Sequence, residues 1–551
     1  MKKRLLSLLV AVSMSIGAMA CGAYETEDTA ADASTADTGS GSESSEKVFR
    51  YSDTVEPTTI DPSKANSIVD NELIHACQES LVRGTGGKVE PGIAESWELS
   101  EDGLTYTFHL RDTNWSDGQP VTADDFVYGL QRLLDPATAS EYAFIGEYVK
   151  NGYEVETGEM EVSELGVRAE DDKTLVLELE TPCAYFLSMV GTASQYVPIR
   201  KDIVESYGAD FAATADKNVY SGPFKLVSTD NMMYVFEKND QYWNKDAINL
   251  DRVEFSVISE PNTAVAMYEN GELDFVKLPT DSVAQYDDID SEFMNGNEDY
   301  LYINEESTNK IVSNKNFRKA LNYGLNRNDY IALATNNVYS PSNTLVMPLV
   351  GGVSKSYGEE YTLDSYPLDG DIDVAKEYLE KAMSEEGYSD PSEIEIELTT
   401  TDLEASKKIA EVLQELWQNA LGITVTIRQV TYADIYGSVL PNGDYQIAYG
   451  GWGPDYSDPY TYLELFKSDC SYNYSNYKND EFDKLLEDSK TETDVKARMD
   501  MLNEAEKIIL EDAAFVPLQC RQQHYLLNDK FTGVEFYFCS INIDWVYADV
   551  E

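Results

Sequence analysis

From Leu104 to Leu110, Tyr106, Phe108 and Leu110 alternate with Thr105, Thr107 and His109, the period-two pattern of a half-buried strand. Asp117-Gly118 then reads as a turn. Thr122 and Asp125 form a Thr-x-x-Asp capping pattern ahead of Phe126, Val127, Leu130, Leu133 and Leu134, so a helix opens at Thr122. Leu175, Leu177 and Leu179 mark a further strand. Beyond Asp371 the chain changes habit. Val374, Ala375, Tyr378, Leu379, Ala382 and Met383 lie at helical spacing, and Ile394, Ile396 and Leu398 alternate with glutamates. A second helix runs through Ile409, Leu413, Leu416, Trp417 and Ala420 to Gly422, and Ile423, Val425 and Ile427 resume a strand. One more amphipathic helix carries Val495, Met499, Leu502 and Ile509, followed by the strand-like Ala514 to Leu518. These patterns predict a mixed α/β protein, strand-rich in its first half and built of helix–strand units in its second.

The N-terminus follows a different logic. Met1-Lys2-Lys3-Arg4 precede an apolar stretch, Leu5 to Ala20, interrupted by Ser7, Ser13, Ser15 and Gly17. That is a secretory signal, too short and too broken for a spanning helix of about 20 apolar residues. It ends in Ala18-Met19-Ala20-Cys21-Gly22, similar to a bacterial lipobox except that Ala18 stands where Leu is usual. The competing reading is an ordinary signal that happens to contain a Cys. From Gly22 to Glu46 the chain has seven acidic residues and no basic one, among Ala, Ser, Thr and Gly. Such a segment cannot bury enough apolar surface to offset its ordering entropy, so it reads as a tether from a lipidated Cys21 to a body that begins near Lys47.

Charge narrows the partners. With 41 Lys and Arg against 100 Asp and Glu, the net charge is −59, and nucleic acid and anionic membrane surfaces are repelled. Six Cys and three His, with no CxxC pair and no HExxH, argue against a metal site or a disulfide scaffold. Besides Cys21 there remain Cys77, Cys183, Cys470, Cys520 and Cys539, an odd number, so at least one thiol is unpaired. No Gly-x-Ser-x-Gly elbow occurs. Gly84-Thr85-Gly86-Gly87-Lys88 has the wrong spacing for a phosphate loop and is followed by Val89, so it reads as a surface turn. Among so many carboxylates a glycosidase-like pair carries no weight. No enzyme and no cofactor is expected.

One segment differs in kind. In Gly450-Gly451-Trp452-Gly453-Pro454-Asp455-Tyr456-Ser457-Asp458-Pro459 a stiff turn holds Asp455 between two aromatic residues, Trp452 and Tyr456. A carboxylate screened from water attracts an ammonium strongly, and ring faces add to it. Read alone, a structural loop with buried aromatics is the simpler account.

Four blocks turn the reading. Glu95-Ser96-Trp97 leads into Leu104 to Arg111; Trp115-Ser116-Asp117-Gly118-Gln119-Pro120-Val121-Thr122-Ala123-Asp124-Asp125-Phe126-Val127-Tyr128 follows; then Phe317 to Arg327; and last the Trp452 loop. In this order they resemble the oligopeptide and dipeptide-binding family (family 5) of extracytoplasmic solute-binding proteins of ABC importers. The resemblance implies an α/β, two-lobed periplasmic-binding-protein-like fold of type II with an extra domain in the first lobe and the ligand cleft between lobes. It implies a main domain at 48–85, 191–295 and 515–551, the extra domain at 86–190, and the second lobe at 296–514, after a signal at 1–20 and a lipidated, disordered tether at 21–47. Asp455 matches the acid that meets a peptide's N-terminal ammonium. Gly451 and Gly453 match backbone contacts to an extended peptide, Trp452 the wall of a side-chain pocket, and Tyr142 a ligand-contacting tyrosine. Asn66, Ser67 and Ile68 match a stretch that pairs with the peptide like an added strand, which ignores side-chain identity. Two positions depart from the pattern. Tyr449 stands where a basic residue is frequent, and Leu518-Gln519-Cys520-Arg521-Gln522 replaces a tyrosine-rich strand. Trp97, Trp115, Phe126 and Phe317 read as core.

The expected protein is a monomeric, membrane-tethered lipoprotein of a single-membraned, Gram-positive type host, which takes peptides to the permease subunits of an ABC transporter. Its alternatives are a relative with non-peptide cargo (a nickel chelate, an opine, an oligosaccharide) and a surface peptide sensor or pheromone receptor without a transport role.

Overall fold

A computed structural model describes residues 46–85, 88–286, 291–363 and 365–551. The expected signal, Cys21 and nearly all of the tether lie outside them. Residues 46–551 form one contact unit.

A large mixed sheet carries the body. Its strands run in the spatial order Thr424–Val430, Glu395–Thr401, Ile447–Trp452, Ser291–Ile303, Phe515–Leu527, Phe275–Lys277, Val48–Asp53, Arg252–Val257, Met233–Lys238 and Phe224–Ser228, and the short Ser340–Pro341 pairs beside Phe515–Leu527. At one end, Glu395–Thr401 and Thr424–Val430 are parallel, joined by the helix Glu404–Leu421. This is the helix–strand unit read from the sequence. Gly422 closes that helix with φ +73, a left-handed conformation that glycine adopts without a Cβ penalty.

Two 13-residue strands, Ser291–Ile303 and Phe515–Leu527, run the length of the centre as an antiparallel pair. Their register breaks between Met294 and Glu298. There Gly296 takes φ +83, and a Cβ on it would lie 2.0 Å from the Phe538 carbonyl oxygen. The sequence pattern stopped the last strand at Leu518. Beyond that point polar Gln519, Arg521, Gln522 and Gln523 find partners across the sheet and erase the alternation on which the prediction rested.

A separate antiparallel sheet, Ala94–Leu99, Thr105–Leu110, Thr174–Glu178 and Val167–Asp171, packs with the helix Ala123–Leu134. The helix opens with the expected box: Thr122 is its N-cap and Asp125 reaches back to the Thr122 N–H at 2.9 Å. Trp115, Phe126 and Phe317 are core, at 1, 2 and 0 % exposure, whereas Trp97 only leans half-buried against it. Val82–Thr85 pairs antiparallel with Lys88–Pro91, and Gly86 and Gly87, on which the expected turn falls, lie outside the described residues.

The Phe317 to Arg327 block owes its pattern to packing. Arg318 donates to the Ala513, Ser313 and Asp512 carbonyls, and Arg327, fully buried, donates to the Pro517 carbonyl at 2.8 Å and to Asn322. These two guanidiniums fasten the helices to the start of the long C-terminal strand. Among the described residues Cys77, Cys183, Cys470, Cys520 and Cys539 are all free thiols, and no helix is long and apolar enough to cross a membrane.

Candidate ligand-binding site

The strand Ile447–Trp452 delivers the Asp455 loop, and its pairing with Ser291–Ile303 sets Gly451 opposite Asp299. A Cβ on Gly451 would lie 2.5 Å from the Glu298 carbonyl oxygen and 2.7 Å from Asp299 Oδ1. Glycine is needed there to let a buried acid approach the strand. Asp299 accepts from the Tyr449 hydroxyl at 2.9 Å, from Gln519 Nε2 at 2.6 Å and from Arg521 Nε at 2.8 Å. The two departures from the family pattern, Tyr449 and Arg521, thus converge on one carboxylate.

The loop itself is held from behind. Arg498 makes two bonds to Asp458, and Asp458 Oδ1 also accepts from the Tyr460 N–H at 2.9 Å. Tyr456 is buried, its ring stacked on Tyr185 at 4.4 Å and its hydroxyl on Glu464 at 2.9 Å. The expected cage of Trp452 and Tyr456 around Asp455 is therefore not formed, because Tyr456 gains more by joining the aromatic core. A different ring takes the place: Tyr142, 313 residues away in sequence, donates to Asp455 Oδ1 at 3.3 Å.

Asp455 is half-buried. Burial pushes its pKa up to about 6, against the Tyr142 hydrogen bond, which works the other way. Burial and then the adjacent Asp455 charge push the Tyr142 hydroxyl up in turn. No cation among the described residues contributes to Asp455. It is a desolvated carboxylate with its counter-charge missing, the arrangement that favours an incoming ammonium.

A cavity of about 190 Å³ opens at this carboxylate, and Asn66, Ser67, Ile68, Tyr142, Gly453 and Asp455 all line it. Six expected site residues from three distant stretches are thus brought together. Gly451 stays within the sheet, and Trp452 stands beside Tyr472, with ring centroids 5.5 Å apart. Of the stretch Asn66, Ser67 and Ile68, Ser67 is extended, φ −123 and ψ 156, but Ile68 already opens the helix Ile68–Cys77, because the Ser67 hydroxyl caps it by accepting from the Asp70 N–H at 3.1 Å. Asn66 spends its amide on Glu141 at 2.6 Å.

Asn295, Asn297, Phe538, Cys539 and Ser540 also line the cavity and were not legible beforehand. The Asn-Gly-Asn run at 295–297 inside a strand pattern was the available signal for a bulge. A larger groove of about 750 Å³ lies beyond the Asn66–Glu141 contact. Its central charges, Asp61 and Arg132, neutralise each other through two bonds of 2.6 Å.

Residues 88–474 match the model of the bacterial extracellular solute-binding proteins, family 5. The chain is 34 % identical to the oligopeptide-binding protein OppA of Bacillus subtilis over 87 % of its own length and 88 % of the relative's, and 31 % identical to the dipeptide-binding protein DppE of the same organism over 97 % and 96 %. Among solved structures, the substrate-binding domain of an oligopeptide ABC transporter from Bacillus anthracis aligns with TM-score 0.70 at 33 % identity, covering 92 % of this chain and 99 % of that one. Listeria monocytogenes OppA bound to peptide aligns with TM-score 0.68 at 29 % identity, over 92 % and 99 %. The mixed α/β architecture around one long shared sheet is the two-lobed fold expected from the sequence. The chain belongs to the family 5 bacterial extracellular solute-binding proteins, which bind their solutes and are not enzymes.

Proposed function

We propose that this protein is an extracytoplasmic peptide receptor that captures peptides by the N-terminal ammonium and hands them to the permease of an ABC importer. The observation that carries the reading is Asp455: a carboxylate raised to about 6 by burial, hydrogen-bonded by Tyr142, lacking a cation, and facing a cavity large enough for the amino end of a peptide. Relatives at 34 and 31 % identity that bind oligopeptides and dipeptides support it. An anionic cargo would meet an uncompensated negative charge at this point, and a neutral sugar would leave it unpaired.

In this reading the lobes comprise 48–85, 191–295 and 515–551, with the extra domain 86–190, against 296–514. They close about the register break at Asn295–Asn297, and the Tyr185 stack on Tyr456 joins the extra domain to the second lobe. Cys21 bears the lipid that holds the monomeric receptor at the outer face of the membrane, with residues 22–47 as its leash.

Calorimetry with a free peptide and its N-acetylated form tests the reading. The free peptide binds and the acetylated one binds at least about 30-fold more weakly, since truncating one partner of a desolvated pair costs about 2–5 kcal/mol. Equal binding by both forms refutes it.

A further inference from the structure

The Asp455 loop has a second support, a hairpin near the C-terminus. Glu535–Phe536 pairs antiparallel with Ile543–Asp544, and the tip between them reaches the ligand cavity, which Phe538, Cys539 and Ser540 line. The Ser540 hydroxyl donates to the Asp455 backbone carbonyl at 3.4 Å. A Cβ on Gly296 would clash with both the Phe538 carbonyl oxygen and the Pro454 ring, so the residue before the acid and the hairpin tip close on one glycine. Ser540 takes φ +63, a conformation that a non-glycine residue keeps only where its surroundings impose it.

A ladder of two rungs does not hold its own tip in place. The helix Ile68–Cys77 holds it from the base. Glu72 accepts the Asn542 N–H at 2.9 Å, and His75 Nε2 lies 2.9 Å from Asp544 Oδ2. Glu72 is 3 % exposed. Burying a carboxyl is unfavourable, and an apolar side chain would fill the same volume without that cost. What Glu72 adds is direction: it fixes a backbone N–H two residues from Ser540. The same helix starts at the cavity, where its Ile68 and Asn71 line the wall, so one element sets that wall twice, once directly and once through the hairpin tip.

We propose that, given the peptide reading above, Glu72 is a positioning residue: through the hairpin tip at Ser540 it fixes Asp455 where the ammonium of a peptide meets it.

Calorimetry with tri-alanine and N-acetyl-tri-alanine tests this, because the ratio of the two affinities reports the Asp455–ammonium contact and a general loss of stability does not move it. Glu72→Met removes the acceptor while filling its volume, and Lys277 beside it keeps Asp53 at 2.7 Å. Ser540→Gly removes the tip's hydroxyl and suits φ +63. The wild-type ratio is at least about 30, and each variant lowers it about tenfold. Glu72→Gln, whose amide oxygen accepts the same N–H, keeps it. So does Leu413→Ala, a core truncation in the helix Glu404–Leu421 that lowers the unfolding midpoint. A ratio that stays at the wild-type value in Glu72→Met or Ser540→Gly, or that falls as far in Leu413→Ala, overturns the positioning role. A wild-type ratio near one, or no binding of tri-alanine, overturns the peptide reading itself.

Discussion

Arg498 grips Asp458 with two hydrogen bonds of 2.6 and 2.9 Å, both side chains almost fully buried, three residues beyond Asp455. The guanidinium also lies 5.4 Å from the centroid of the Tyr185 ring, so one ion pair ties the ligand loop to the aromatic contact behind it. Arg498→Met leaves Asp458 buried without its counter-charge, which costs about 3–5 kcal/mol. Arg498→Met with Asp458→Leu removes the stranded charge and recovers most of that stability. Denaturant unfolding separates the two variants, and calorimetry shows weakened peptide binding in both, because the loop has lost its anchor.

Binding depends on pH through Asp455. Its folded pKa, about 6, lies above the ordinary 3.8. Protonation is therefore favoured in the folded, empty state: this group favours folding at low pH, and its contribution is lost as pH rises from about 4 through about 6. Ligand binding has the opposite sign, since the ammonium requires the carboxylate. Affinity falls by up to about tenfold per pH unit below about 6, and again above about 8 as the peptide's α-amino group deprotonates. Titrations across this range check it. Asp455→Asn loses the acid limb and flattens the alkaline one, because the ammonium no longer meets a counter-charge.

Gly296 sets the bulge between the paired central strands. Gly296→Ala places a non-glycine residue at φ +83 and a Cβ against the Phe538 carbonyl oxygen. Backbone strain alone costs about 1–3 kcal/mol, and the displaced Phe538 lines the cavity, so stability and affinity fall together. Gly437→Ala is the control: nothing lies within 4 Å of its Cβ, and its unfolding midpoint stays at or slightly above that of the wild type.

How much of this was legible depends on how local each signal is. The capping box at Thr122 and Asp125, the helix ending at Gly422 and the isolation of Asp455 in a stiff loop are written in consecutive residues. Tyr142 came from the resemblance, not from any local pattern, since 313 residues separate it from the acid it touches. The direction of the Tyr456 ring was misjudged because its competitors, Tyr185 and Glu464, have no sequence relation to it. The Asp299 cluster was hidden for the same reason. Gly451, read as a ligand contact, has a prior duty in letting that acid approach.

The last prediction isolates the Asp455 contact from everything else the loop does. Asp455→Asn keeps the shape and a hydrogen bond for Tyr142 while removing the charge, and N-acetylation removes the charge from the ligand. Each alone weakens binding by about 2–5 kcal/mol if the pair is desolvated. The coupling is the decisive quantity: in Asp455→Asn, acetylation costs far less than in the wild type, because the ammonium has already lost its counter-charge. Calorimetry on the four combinations gives this interaction energy directly, with circular dichroism to show that the variant is folded. Additive losses would mean that Asp455 and the ammonium do not meet, and would return Asp455 to the role of a loop residue whose raised pKa reflects its burial alone.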